Sequence, residues 1–220
     1  MNSKEISKKT AQLLLKIKAI QIRPEKPFKF TSGILSPIYI DNRILMSLPK
    51  ERRKIINFYL KIIKEKIGVT KNTIFSGTAT AAIFQTAYIS QKLNLPMVYV
   101  RDTKKGHGGQ NQIEGIVKKG QRAVVIEDHI STGGSLIGNL RALRKAGAKV
   151  NYAIATTTYL MKKASILFKK AKIKVYTLTD LKTIIDEAVK GKYIKASDKD
   201  LVLKWAENPP SWGKKFGFEK

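Results

Sequence analysis

The amino-acid sequence predicts an α/β fold in which helices cover both faces of a parallel β-sheet. From residue 73 onward, segments typical of strands alternate with segments typical of helices. The strand segments are apolar and rich in β-branched residues, as in Ala-Val-Val-Ile at 123–126, which is typical of strands buried on both sides. A chain of 220 residues is long enough for one domain with a single core, or for a domain with a small cap.

The first 70 residues predict two helices separated by turns. Apolar residues recur at helical spacing over residues 3–20, and Ser3 is the candidate N-cap. Residues 24–37 contain the turn formers and short extended pieces of an irregular segment. A second helix is expected to begin after Pro49 and to end at Gly68.

Strands and helices then alternate through the rest of the chain. The predicted strands are residues 73–76, 97–101, 113–117, 122–127, 149–157 and 173–178. The predicted helices are residues 79–93, 134–146, 180–190 and 197–206, and residues 102–112 form a polar, glycine-rich connection. Ser197 and Asp200 match a capping box, so the last helix is expected to begin there.

The composition excludes several classes of protein. A hydrophobic fraction of 43% and a mean hydropathy of −0.22 are typical of a folded domain and exclude a wholly disordered chain. No run reaches the ~18 apolar residues of a membrane span, and residues 1–10 lack the apolar core of a secretion signal. The absence of cysteine excludes disulfides, thiolate metal sites and a cysteine nucleophile. We therefore expect a cytoplasmic protein with no membrane partner.

The net charge is unusually high. Lys and Arg number 43 against 16 Asp and Glu, which gives +27. One interpretation is a phosphate-rich partner such as a nucleic acid. The other is a surface filled with solvated lysine, and the scatter of the lysines along the whole chain favours it. We therefore expect no specific nucleic-acid site.

A candidate phosphate site follows the strand predicted at residues 122–127. That strand ends in Glu127 and Asp128, and Gly133 and Gly134 then permit a tight turn into a helix. Backbone N–H groups at such a turn converge on a phosphate, and the helix N-terminus adds a favourable partial charge. The hydroxyl donors expected beside it are Ser131, Thr132 and Ser135. The pattern predicts a sugar phosphate ligand, and the alternative is an ordinary strand–turn–helix with acids at a solvated strand end.

This segment is neither a Walker loop nor a dinucleotide-binding loop, because Gly-Lys-Ser/Thr and Gly-x-Gly-x-x-Gly are both absent. Residues 127–135 (Glu-Asp-His-Ile-Ser-Thr-Gly-Gly-Ser) instead resemble the phosphoribosyl pyrophosphate (PRPP) loop of type I phosphoribosyltransferases. Three further segments narrow the resemblance to the orotate phosphoribosyltransferase family. They are residues 32–43, residues 77–80, and residues 99–108 with the following 111–115.

The resemblance implies a fold, a reaction and a cofactor. The fold is a type I phosphoribosyltransferase-like parallel sheet flanked by helices, in a single domain over residues 1–220. Its core would span about residues 71–180, with a small hood from about residues 1–70 and part of the C-terminal tail. The reaction joins orotate to PRPP with Mg²⁺ and gives orotidine 5′-monophosphate and pyrophosphate in pyrimidine synthesis. The family also implies a homodimer with active sites shared between subunits.

The resemblance also assigns roles to residues. The implied catalytic residues are Lys105, His107 and Asp128, and Ser131 also contacts orotate. Mg²⁺ would be held mainly through PRPP, with Asp128 as the candidate protein ligand. The implied PRPP-binding residues are Arg101, Lys105, His107, Glu127, Asp128, His129, Ile130, Ser131, Thr132, Gly133, Gly134 and Ser135. Within that set, the side chain of His129 is expected to fill space rather than to take part in chemistry.

The sequence departs from the better-known form of the family at several cationic positions. Thr31, Ala81 and Asp102 stand where lysine is frequent, and the strand near residues 156–160 has no arginine for the orotate carboxylate. Arg43 is a candidate for that role, and the alternative is a structural ion pair. Two other functions stay open, namely a PRPP-responsive regulator that binds nucleic acid and a purine phosphoribosyltransferase.

Overall fold

The computed structural model describes residues 1–101 and 112–219, and its centre is a six-stranded sheet. The sheet strands are β5 (Thr73–Thr78), β6 (Met97–Val100), β7 (Ile113–Glu114), β8 (Arg122–Ile130), β9 (Lys149–Thr158) and β10 (Lys174–Thr177). Their order is β10-β9-β8-β5-β6-β7, and all neighbours are parallel except β6 and β7. This confirms the predicted α/β fold class.

Helices cover the sheet, and two small antiparallel pairs of strands lie outside it. The α-helices are α1 (Ser3–Lys16), α2 (Pro49–Ile62), α3 (Ile83–Leu93), α4 (Gly134–Lys145), α5 (Lys162–Lys170), α6 (Leu181–Lys190), α7 (Lys199–Trp205) and α8 (Pro209–Lys215). The outer strands β1 (Ile20–Ile22) and β4 (Ile38–Ile40) pair antiparallel, as do β2 (Phe28–Lys29) and β3 (Leu35–Ser36). Short 3₁₀ turns span Asn42–Ser47 and Ala196–Asp198, and a π-helical turn spans Ile63–Ile67. No helix in the described part is long and apolar enough to cross a membrane.

Alternating side chains of the strands form a core on each face of the sheet. On β8, Val124 and Ile126 pack into the larger cluster, which also receives the buried faces of α1, α2 and α6. Ala123 and Val125 point the other way, into a cluster completed by α4. This period of two is the signature of a strand covered on both sides.

The N-terminal and C-terminal segments contact each other beside the sheet. Ser7 of α1 donates to Thr179 at 3.2 Å, and Gln12 of α1 donates to Glu187 of α6 at 2.7 Å. Farther along, Trp205 of α7 donates its indole N–H to the carbonyl of Leu35 in the β2–β3 hairpin at 2.8 Å. The extent of the hood, and the single-domain boundaries, remain predictions.

Several predicted boundaries are wrong, and each has a local cause. The cap of α1 is Asn2 instead of Ser3, because Asn2 and Glu5 satisfy each other's backbone N–H groups. The predicted box of Ser197 and Asp200 does not form, since Asp198 instead accepts from the backbone N–H of Lys195 at 3.1 Å.

Further differences concern the bounds of two elements and the existence of two others. Helix α3 begins at Ile83 instead of residue 79, and β8 continues through the acidic pair to Ile130. Helices α5 and α8 were not predicted, although the least exposed residues of α5, Ala164, Leu167 and Phe168, recur at helical spacing.

Candidate active site

The acidic pair lies at the carboxyl end of β8, in the middle of the sheet. Glu127 and Asp128 are only 7% and 8% exposed. The backbone N–H of Asp128 donates to Glu127 Oε1 at 2.9 Å, which orients the first carboxylate. The edge formed by the carboxyl ends of parallel strands is where open α/β sheets bind ligands, so the pair stands where the sequence predicts.

Two amide side chains from distant elements hold Asp128. Gln85 of α3 donates to Asp128 Oδ1 at 2.8 Å. Asn42 donates to the backbone carbonyl of Asp128 at 3.2 Å and to Thr157 Oγ1 of β9 at 3.1 Å. Burial raises the pKa of Asp128 to about 6, and the amide hydrogen bonds oppose that rise because they stabilise the charged form.

A buried tyrosine ties the same strand to α2. The Tyr59 hydroxyl lies 3.1 Å from the carbonyl oxygen of Glu127 and 2.7 Å from Thr156 Oγ1 of β9. Burial is the main cause that raises the pKa of Tyr59 well above its ordinary value, so the phenol stays neutral. The backbone under the acidic pair is therefore fixed from α2 and β9.

The turn after β8 has the geometry of an anion site. Gly133 has a φ of +82°, and a Cβ there would lie 2.9 Å from Phe168 Cε1 of α5, so any other residue is strained at this position. A Cβ on Gly134 would meet no atom within 4 Å, which leaves the space before the first turn of α4 open. Ser131 is half-buried, whereas Thr132 and Ser135 are exposed beside that space. The predicted donors thus surround the N-terminus of α4.

A cavity of about 220 Å³ adjoins this turn at the ends of β5 and β6. Its lining includes Thr78, Val100, Arg101, Gln112, Gly134, Ser135, Gly138 and Asn139. Arg101 is held there by Glu114 at 3.2 Å, and Gln112 donates to the carbonyl of Arg101 at 2.9 Å. The cavity therefore brings the predicted guanidinium group next to the predicted phosphate turn.

His129 is held by protein contacts. Its Nδ1 lies 2.8 Å from Thr157 Oγ1, and its ring meets the ring of Tyr159 edge-on with centroids 4.1 Å apart. Burial lowers the pKa of His129 to about 3, so the imidazole is neutral at physiological pH. The side chain thus packs against β9 and Tyr159, and its space-filling role stays a prediction.

Arg43 forms the ion pair that was the alternative to an orotate contact. Its Nε and one terminal nitrogen donate to the two carboxylate oxygens of Asp41 at 2.7 and 2.9 Å. The hydrogen bonds from Arg43 lower the pKa of Asp41. The guanidinium of Arg43 is therefore engaged by a carboxylate of its own segment.

Lys105 and His107, and with them Asp102, lie outside the described residues. Within residues 1–101 and 112–219 no group of three or more His, Cys, Asp or Glu side chains could hold a metal ion. The donor set nevertheless fits Mg²⁺, which proteins often bind with one or two carboxylates while substrate phosphates supply further oxygens. Glu127 and Asp128 are two such carboxylates beside a phosphate turn.

Sequence reasoning missed the residues that support the acidic pair. Gln85 is a fully buried polar side chain of α3, whose buried face also holds the polar residues Thr86 and Ser90. Asn42 lies within residues 32–43, but its own role was not identified. Thr157 and Tyr59 carried no signal in the sequence, because their hydroxyls gain partners only when the strands assemble.

The chain is similar to proteins of known family. The model of the phosphoribosyl transferase domain matches residues 47–192. The orotate phosphoribosyltransferase of Listeria monocytogenes (serotype 4b) is 44% identical over 209 residues, which cover 95% of this chain and 99% of that protein. The enzyme of the same name from Coxiella burnetii is 45% identical over 202 residues, which cover 92% of this chain and 96% of that protein.

A solved structure shares the fold. The crystal structure of orotate phosphoribosyltransferase from Aeropyrum pernix superposes with a TM-score of 0.72 at 28% sequence identity. The match covers 82% of this chain and 98% of that chain.

Proposed function

The chain belongs to the orotate phosphoribosyltransferase family, and from that membership we propose how its residues carry out the reaction. The enzyme transfers the ribose 5-phosphate group of PRPP to orotate and releases orotidine 5′-monophosphate and pyrophosphate. One arrangement of groups in the structure supports these roles. A buried carboxylate pair, an open helix N-terminus and a guanidinium beside a cavity lie at one edge of the sheet.

The acidic pair serves the ribose. The bond from ribose C1 to the pyrophosphate oxygen breaks as the bond from C1 to a ring nitrogen of orotate forms, and that nitrogen gives up its proton to solvent. Positive charge develops on the sugar in the transition state. Asp128, with Glu127 beside it, accepts hydrogen bonds from the ribose hydroxyls, and its negative charge stabilises that transition state. Gln85 and Asn42 support this role, because they hold Asp128 in one orientation before the substrate arrives.

The turn after β8 serves the 5′-phosphate. Residues 130–135 bind it through backbone N–H groups at the start of α4 and through hydroxyl donors. Ser131 lies between the acidic pair and this turn, which suits a residue that contacts both PRPP and orotate. The open space at Gly134 supports the proposal, because a phosphate can approach the backbone there.

Pyrophosphate leaves on the side of the cavity. Arg101 is its first proposed donor, with Lys105 and His107 completing the set from the segment outside the described residues. Bound Mg²⁺ would neutralise part of the pyrophosphate charge, held mainly through PRPP with Asp128 as the candidate protein ligand. We also propose a cytoplasmic location, since the substrates are soluble nucleotide precursors.

The first experiment tests base specificity. Purified protein with PRPP and Mg²⁺ is mixed in turn with orotate, uracil and hypoxanthine, and both base absorbance and pyrophosphate release are followed. We expect turnover with orotate alone. Comparable turnover of hypoxanthine would favour the purine alternative. Sequence-selective and salt-tolerant nucleic-acid binding without turnover would favour the regulator.

We further propose a homodimer in which Lys105 and His107 act in the partner's site. Two inactive variants, Lys105→Ala and Asp128→Asn, are mixed under conditions that exchange subunits. A mixed dimer then holds one doubly defective site and one intact site. Since half of randomly exchanged dimers are mixed, activity should return to about a quarter of wild type. If exchange is demonstrated and activity stays at the parental level, each chain completes its own site.

A further inference from the structure

Trp205, the last residue of α7, is a buried side chain that contacts two separate parts of the protein. It is only 1% exposed, and its indole N–H donates to the carbonyl of Leu35 in β3 at 2.8 Å. Its ring meets the ring of Phe30 edge-on, with centroids 6.2 Å apart. The ring of Tyr159 meets it edge-on as well, at 4.8 Å. Trp205 therefore joins the β2–β3 hairpin to the segment that follows β9.

The hairpin needs such a contact to keep its place. β2 and β3 form a two-stranded sheet with two residues in each strand, and an isolated hairpin is at best marginally stable in water. Packing against other elements has to supply the rest of its stability. Trp205 contributes a hydrogen bond to β3 and an aromatic contact to Phe30, which follows β2.

Tyr159 connects this contact to the phosphate turn. Its backbone N–H donates to the carbonyl of Ile130 at 3.0 Å, directly before Ser131. Tyr159 is only 5% exposed, so its ring packs within the protein, between the rings of His129 and Trp205. Trp205 thus bridges the hairpin and the end of β8, where the turn begins.

The residues proposed to bind PRPP belong to the sheet and to α4. They are the acidic pair at the end of β8, the turn at 130–135 and Arg101 after β6. Ser131 is the one among them that is also proposed to contact orotate, and it directly follows Ile130, whose carbonyl accepts from Tyr159. The position of the hairpin therefore bears on the side of the site where the base binds.

We propose that Trp205 is a positioning residue for the base: it holds the β2–β3 hairpin against the turn where Ser131 contacts orotate, and so sets the affinity for orotate. The inference rests on the proposed function for the identity of the base and for the role of Ser131. A hairpin that has lost this contact must be ordered each time a base binds, which costs conformational entropy. The affinity for orotate should then fall, whereas the affinity for PRPP should stay. A purely structural role would lower the stability and leave both affinities alike.

The test makes the same substitution at two tryptophans. Trp205→Phe removes the indole N–H and keeps an aromatic ring. Trp212→Phe is the matched control, because Trp212 is also 1% exposed and its indole N–H donates to a backbone carbonyl, that of Leu201 in α7, at 2.9 Å. Its helix α8 also lies beside β3, so the two variants differ in which carbonyl loses its donor. The measurements are the KM for orotate at saturating PRPP, the Kd of PRPP with Mg²⁺ by calorimetry, and the free energy of unfolding in urea.

We expect Trp205→Phe to raise the KM for orotate by about 3- to 10-fold, the usual effect of one lost hydrogen bond, and to leave the Kd of PRPP within about twofold of wild type. Hydrogen exchange over residues 28–36 should become faster, because the bond from the Phe30 N–H to the Ile34 carbonyl opens more often. Trp212→Phe should be destabilised to a similar extent without either change. An orotate KM within about twofold of wild type in folded Trp205→Phe, or an equal rise in Trp212→Phe, would overturn the proposal.

Phe30→Leu tests the same contact from the side of the hairpin. Phe30 is half-buried, so this variant should fold even if Trp205→Phe does not. It should raise the KM for orotate and leave the Kd of PRPP as it is, and an unchanged KM for orotate would contradict the proposal. Wild-type protein that converts another base in place of orotate contradicts the proposed function, and the inference is then judged by the KM for that base. Wild-type protein that converts no base overturns both.

Discussion

The hydrogen bond from Gln85 to Asp128 should set the pH at which the enzyme loses activity. Replacing Gln85 with Met removes the donor 2.8 Å from Asp128 Oδ1 and keeps the side-chain length. The position should tolerate the change, because Gln85 Oε1 is buried and has no hydrogen-bond partner within the described residues. The variant therefore tests one contact without a large loss of packing.

The size of the effect follows from the burial of the carboxylate. The pKa of Asp128 is raised from 3.8 to about 6 by burial, and the Gln85 bond lowers it because the bond stabilises the charged form. A hydrogen bond to a charged group contributes about 1.5–3 kcal/mol, and one pKa unit corresponds to about 1.4 kcal/mol. At the lower end of that range, loss of the donor should raise the pKa of Asp128 by about one unit.

The assay is the pH dependence of kcat/KM for PRPP. If the charged carboxylate is the active form, activity is lost as the pH falls through the pKa of Asp128, which is about 6 in the wild type. In Gln85→Met the midpoint should move up by about one pH unit, so that activity at pH 7 falls to roughly half. The other groups that act on this carboxyl, Asn42, Asp41 and Arg43, are unchanged.

The chain offers a matched control for this experiment. Gln12 of α1 also donates to a buried carboxylate, Glu187 Oε2 of α6, at 2.7 Å. Gln12→Met loses a similar bond and should leave the acid limb where it is in the wild type. The contrary result is an acid limb of the pH profile that is the same in Gln85→Met and in the wild type, while Asp128→Asn is inactive. In that case the protonation of Asp128 does not control the pH dependence of kcat/KM, and the reasoning fails.

Three further predictions concern the acidic pair, the phosphate turn and the net charge. Asp128→Asn should abolish most of the turnover in steady-state assays. It should nevertheless raise the free energy of unfolding in urea at pH 7, by about 3 kcal/mol at most, because a buried carboxylate with a raised pKa destabilises the fold at a pH above that pKa. His129→Val should keep most of the turnover. Gly133→Ala should lower the free energy of unfolding by about 1–3 kcal/mol, because the new methyl group clashes with Phe168 and the backbone φ is positive. Gly134→Ala should fold normally, and calorimetry should show weaker binding of PRPP. Binding to duplex DNA should be weak, indifferent to sequence and abolished by salt in fluorescence titrations, because scattered lysines act only through counterion release.

Each of these expectations has a contrary outcome. Equal losses of turnover in Asp128→Asn and His129→Val would mean that the roles within the turn are misassigned. A destabilised Gly134→Ala variant would show that the space before α4 is closed. A salt-tolerant complex with one DNA sequence would show that the charge of +27 serves a specific partner.

The sequence alone determined most of the order of strands and helices and the position of the turn that follows β8. Both depend on local patterns. Apolar β-branched runs predict buried strands, and two acids followed by serine, threonine and paired glycines predict the strand–turn–helix of β8 and α4. The helical spacing of Ala164, Leu167 and Phe168 in α5 was missed. The cap prediction failed at the start of α7, where Asp198 took the role expected of Asp200.

Only the tertiary structure decided what surrounds the acidic pair. Gln85 and Asn42 lie 43 and 86 residues away from Asp128, and Trp205 lies 170 residues from Leu35. A buried polar group takes its partners from the elements packed against it, and parallel strands bring together segments that are far apart in sequence. Burial itself, which raises the pKa of Asp128, is a property of the assembled sheet. For that reason the sequence could place the carboxylate, whereas its orientation and protonation depend on α3, β9 and the segment around Asn42.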